Sequence, residues 1–218
     1  MADLRPIVPV LDLVAFASGS SSLIDAAEDP SAREFDVVQR ALVAAEAVGV
    51  NYLRWPADAP GLRVHYRREV LFSHGRSLDG ALFYPSVRPA VQYGDESSFV
   101  YGTASGDLLA VKSARPYADH LAKYYAGYRG TEETLEQLQE VPGLNGLETL
   151  PPELPPALVQ AVAETAIAVA VRIDSGLIGK RETAFNTSTM VRTSLRLEQG
   201  AIREIWDTYA QGFRVPVL

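Results

Sequence analysis

The sequence predicts an α+β fold: an antiparallel β-meander sheet with helices packed on one face, and a long buried apolar helix in the C-terminal third. Three observations carry this. Between residues 62 and 113, short alternating or apolar segments are separated by turn residues such as Gly94-Asp95 and Gly106-Asp107. Apolar residues recur at helical spacing before and after that stretch. Ala157 to Val171 is an Ala-rich apolar run that contains Gln160 and Glu164, which reads as a helix buried on most sides.

Residues 1–141 are expected to form the core with the central sheet. Residues 142–156, rich in Pro, Gly and Leu, form a connection, and 157–218 pack on the same core, giving one domain overall. Taken in order, Ile7 to Ala17 reads as a strand or extended buried segment, followed by a Gly/Ser loop from Ser18 to Ser22. A helix follows, with Ser31 and Glu34 as a capping box and Phe35, Val38, Leu42 and Ala45 as its apolar stripe. Gly49 stands where a left-handed C-terminal residue is expected. In the next segment Leu62, Val64, Tyr66, Val70 and Phe72 share one strand face, and Arg63, His65, Arg67 and Glu69 the other. Arg68 breaks the apolar face, which predicts a bulge or an early end there.

Short strands are then expected at 81–84, 87–93, 98–104 and 108–113. Pro85 and Pro89 mark a sheet edge, because proline donates no ladder hydrogen bond. Tyr117 to Tyr128 reads as a helix with Leu121, Tyr124, Tyr125 and Tyr128 on one side. Thr131 is expected to cap a further short helix that Pro142-Gly143 ends. Pro156 starts the long helix. Val191 to Leu197 alternates as a strand, and Ile202, Ile205, Trp206 and Tyr209 follow helical spacing.

Composition narrows the chemistry. The 218 residues include no cysteine, which excludes disulfides, thiolate metal sites, Fe–S clusters and a cysteine nucleophile and fits a cytoplasmic location. Asp12 and Pro9 interrupt the only N-terminal run that resembles a secretory signal. No apolar stretch reaches the length of a spanning helix, so no membrane association is expected. The net charge of -7 argues against a general nucleic-acid binder, yet residues 61–130 carry nine Arg and Lys against six Asp and Glu, with eight of the ten tyrosines. Arg63, His65, Arg67, Arg88 and Arg115 are therefore the candidate binding residues, suited to an acidic protein partner or, less favoured, to stacked bases and phosphates.

Catalytic signals are sparse. The three histidines, His65, His74 and His120, lack metal-ligand spacing, and no metal or cofactor is expected. Gly102 to Gly106 places its serine one position too late for a nucleophile elbow. Gly176 to Arg181 lacks the first glycine and the hydroxyl residue of a phosphate loop. No catalytic residue is assigned. The leading functional expectation is a non-catalytic binding or assembly protein acting by self-association, as a homo-oligomer, or through a protein partner. The alternatives are a small hydrolase-type enzyme built on His65, His74, Asp79 and His120, and a nucleic-acid or polyanion binder using the Arg/Tyr-rich sheet.

Overall fold

The computed structural model describes residues 6–17, 19, 22–71, 73–77, 80–83, 85–93, 99–102, 108–113, 120–174 and 200–214. It is an α+β protein whose contacts divide the chain into two compact units. One comprises Met1–Arg54 and Pro155–Arg214; the other spans Trp55–Leu154.

The first unit is helical. It contains α1 (Val10–Ala17), α2 (Ser22–Ala26), α3 (Arg33–Tyr52), α5 (Pro156–Asp174) and a helix over 200–209, here α6. The first of these corrects the expected strand. Val10, Leu13, Val14 and Ala17 are buried at i, i+3, i+4 and i+7, a helical stripe that an apolar run conceals. Pro9 stands just before the helix, where its carbonyl accepts from the Leu13 N–H at 3.2 Å and its missing N–H costs nothing.

The start of α3 also differs from expectation. Its N-cap is Ala32, without a side-chain cap. Ser31 is instead held by Asp29, whose Oδ1 accepts from the Ser31 N–H at 2.9 Å and the Ser31 hydroxyl at 2.8 Å. These bonds keep the Asp29 carboxyl below its ordinary pKa.

Helices α3 and α5 pack against each other, burying Val38, Ala41, Leu42 and Ala45 on the first and Leu158, Ala161, Val162, Thr165, Ala166, Val169 and Ala170 on the second. Gly49 does not end α3, which continues to Tyr52. A Cβ at Gly49 would lie 2.5 Å from Cη2 of Trp206, so the glycine makes room for a ring. Trp206 is fully buried and donates from Nε1 to the Thr165 hydroxyl at 3.0 Å. The N-terminal segment is fixed by Glu46, a buried carboxylate that accepts from the Ile7 N–H at 2.6 Å.

The second unit holds a seven-stranded antiparallel sheet with β1 (His65–Leu71), β2 (Ser73–Ser77), β3 (Gly80–Phe83), β4 (Ala90–Tyr93), β5 (Phe99–Gly102), β6 (Leu108–Ser113) and β7 (His120–Ala126). The order is β1-β7-β4-β6-β3-β2, with β5 also pairing β6. The expected meander is thus replaced: among the described residues, only the β2–β3 and β5–β6 ladders join strands consecutive in sequence. The longest ladder, His65↔Ala126 through Leu71↔His120, joins the first strand to the last. Among the described residues it pairs seven, more than either hairpin, and it runs through Arg68 without a bulge.

Strand β7 stands where a helix was expected. Its tyrosines fit helical spacing but also favour strands, and pairing on both edges with β1 and β4 decides the outcome. Gly127, at φ +115°, ends it. A side chain there would meet the Arg63 carbonyl oxygen at 2.7 Å. Helix α4 (Leu135–Gln139) begins three residues later than expected, because Thr134 and Gln137 form the capping box. Leu138, with Leu144 and Leu147 of the following turns, packs with Val64 and Tyr125.

Replacing Gly49 with alanine tests the Trp206 packing. Helix propensity alone would favour alanine by about 1 kcal/mol. Here the indole is buried and hydrogen-bonded, so overpacking dominates, and Gly49→Ala should destabilise by about 1–3 kcal/mol in urea unfolding. A stabilised variant would show that the ring moves freely.

Candidate functional site

The residues singled out by charge fall largely on one face of β1. Arg63, His65, Arg67 and Glu69 alternate along the strand and share that face. The pattern predicts a polar face turned to water, with Val64 and Tyr66 turned inward. The structure reverses part of this: Tyr66 is 45% exposed, whereas Arg67 is only 9% exposed. The segment that follows Trp55 supplies the reason. It brings a buried indole and the Asp58 carboxylate to the polar residues of β1, while Tyr128 stacks on Trp55 at 6.3 Å between ring centroids.

Each polar group has a definable role. Arg63 pairs with Glu133, whose other oxygen accepts from the Gly130 N–H at 2.6 Å. His65 donates from Nδ1 to the Arg63 carbonyl at 2.8 Å. In the neutral ring this leaves Nε2 as an acceptor. It is buried and has no hydrogen-bond partner among the described residues. Trp55 lies beside it, at 6.4 Å between ring centroids, and its Nε1–H is likewise buried and unpartnered among the described residues. Arg67 donates from Nη2 to Asp58 Oδ1 at 3.2 Å and stands 3.7 Å from Glu69 Oε2. Its Nε–H is the third buried atom of this group with no partner among the described residues.

Glu69 is saturated by contrast. One oxygen accepts from the Ser86 N–H at 2.9 Å and from the Tyr124 hydroxyl, and the other from the Ser86 hydroxyl. Burial and the neighbouring Glu69 charge push the Tyr124 phenol well above its ordinary range, so Tyr124 remains a donor. Strand register explains the meeting, since Tyr124 is directly paired with Arg67.

Of the other expected binding residues, Arg88 lies half-buried in the segment before β4, two residues after Ser86. Arg115 lies outside the described residues, as does Asp79. His74 is on β2 and His120 on β7, with β3, β6 and β4 between those strands; the structure does not bring them onto neighbouring strands. Among the described residues no group of three His, Asp or Glu side chains is arranged to hold a metal ion. Charge counting did not single out Trp55, Asp58, Ser86 or Tyr124. Trp55 and Asp58 sit in a Pro-flanked loop with no periodicity, and only the register of β7 reveals Tyr124.

A second surface stands out in the helical unit. Helix α1 is apolar nearly all round. With Val10, Leu13, Val14 and Ala17 buried, its outer face carries Leu11, Asp12, Ala15 and Phe16, and Leu11 and Phe16 are each 53% exposed. No helix among the described residues is long and apolar enough to cross a membrane. No family model, curated protein or solved structure matches the chain.

His65 gives the site a pH dependence of known sign. Burial chiefly, with Arg67 adding to it, lowers its pKa below the ordinary 6.5, against the Arg63 carbonyl and Asp58. A lowered folded-state value means that its contribution is present above about 6.5 and is lost as pH falls through the folded-state value. Urea unfolding at a series of pH values should therefore show wild type losing more stability on acidification than His65→Gln. Parallel curves would mean that His65 is protonated without penalty.

Proposed function

We propose that the chain is a non-catalytic binding or assembly protein that acts by self-association and partner contact. The observation that carries this reading is the outer face of α1. Water-facing helices normally present polar residues outward, whereas here the outward positions include a leucine and a phenylalanine, each more than half exposed. A second copy of the same helix is the occupant we favour. Antiparallel pairing about a two-fold axis sets Leu11 against the partner's Phe16, as an isologous contact requires. The cysteine-free composition fits a cytoplasmic setting.

The polyanion reading is weakened by intramolecular pairing. Arg63 is paired with Glu133, Arg67 with Asp58 and Glu69, and Arg129 with Glu153. Phosphates would have to displace carboxylates at each of these positions, which diminishes the counterion-release gain that drives such binding.

Size-exclusion chromatography with light scattering, at low and high salt, tests the proposal. The expected result is a dimer that persists in high salt and that Leu11→Asp with Phe16→Asp converts to a folded monomer. A wild-type monomer at both salts across a wide concentration range would refute self-association.

A further inference from the structure

We propose that Arg67, Trp55 and His65 form a binding site for a small 2-hydroxycarboxylate, with Asp58 occupying the carboxylate position in the free protein. The inference is independent of self-association through α1.

The guanidinium carries the case. Nε and Nη2 of an arginine point the same way and match the two oxygens of one carboxylate. In Arg67 that fork is half used: Nη2 reaches Asp58 at 3.2 Å, and Nε is buried without a partner among the described residues. A side chain only 9% exposed holds the fork rigidly, whereas the Asp58 side chain is 76% exposed. A carboxylate that uses one donor of two, from a water-facing position, is an exchangeable occupant. A ligand carboxylate that engages both nitrogens gains a second charge-assisted hydrogen bond, and Asp58 is released to water.

The two neighbouring atoms define the rest of the ligand. Trp55 Nε1–H is a donor and His65 Nε2 an acceptor, both buried and neither partnered among the described residues. A single hydroxyl satisfies both, accepting from the indole and donating to the imidazole. His65 and Arg67 are two residues apart on one strand face, so the hydroxyl and the carboxylate of one small ligand address neighbouring side chains. A simple carboxylate would leave the indole and imidazole unanswered. An anion without a fixed hydroxyl would lose that selectivity.

Calorimetric titration of the full chain with lactate, acetate and inorganic phosphate reads this directly. Lactate is expected to bind saturably, and acetate at least about tenfold more weakly, as losing the hydroxyl's hydrogen bonds implies. Asp58→Asn keeps an oxygen acceptor for Arg67 while removing the competing charge, and should tighten lactate binding in protein whose circular dichroism matches wild type. Arg67→Lys, which keeps the charge and loses the fork, should abolish it with the circular dichroism spectrum unchanged. His65→Phe should reduce lactate to the acetate level. No saturable binding of lactate to either wild type or Asp58→Asn overturns the proposal. Equal affinity for lactate and acetate, or a response to phosphate alone, also overturns it. Should Arg67→Lys fail to fold, the Asp58→Asn comparison still decides.

Discussion

An indole seated on a glycine organises the helical unit. Gly49 lacks a side chain, and the space that its Cβ would fill belongs to the Trp206 ring. The ring is fixed at its other end by the hydrogen bond from Nε1 to Thr165, so one residue of α6 ties α3 to α5. Both ends of that tie are fully buried, which leaves no water to replace a lost partner. Around it, Tyr52 donates to Asp207 at 2.6 Å and Arg214 lies over the Tyr52 ring at 4.5 Å. The same side of α3 therefore receives both the helix and the residues after it. Glu46 anchors the segment before α1 to the same helix. With segments attached by its carboxylate, its glycine and its tyrosine, α3 is the scaffold on which α1 presents its outer face.

The sheet unit is organised by charge in an enclosed setting. Glu69 accepts from a backbone amide, a serine and a buried tyrosine, which satisfies a carboxylate more completely than an arginine alone would. Arg67 stands beyond hydrogen-bond distance from it and turns instead to Asp58. The acid of the pair is settled and the base is only partly matched. That asymmetry separates the two groups: Glu69 is a structural element, while Arg67 retains unused bonding capacity beside Trp55 and His65.

Several features were legible in the sequence because one period dominated. The stripe Val38, Leu42, Ala45 and the run from Pro156 admit only a helix, and residues 62–67 alternate until Arg68 breaks the pattern. Other elements were not, for identifiable reasons. An apolar run such as residues 10–17 carries no period, so strand and helix read alike. The spacing over residues 121–128 is ambiguous in the same way: Leu121, Tyr124, Tyr125 and Tyr128 satisfy helical spacing, and only partners distant in sequence decide for a strand. Gly49 shows a further limit, since a glycine placed for a helix end and one placed beneath an indole look the same until Trp206 is positioned. At the candidate site, Arg63, His65 and Arg67 were found through their alternation, whereas Trp55 and Asp58 arrive through a loop that carries no pattern.

The β1–β7 ladder has a consequence for how the chain is made. Its paired residues are 49 to 61 positions apart, so β1 leaves the ribosome long before its partner exists. Until then its pairing edge is open, and non-local ladders of this kind close slowly. The helical unit faces a longer delay, because α3 must wait for Pro155–Arg214. A chain arrested anywhere before Trp206 would carry α3 with its glycine notch unfilled. Synthesis must therefore pass Pro155–Arg214 before the first 54 residues acquire their final packing.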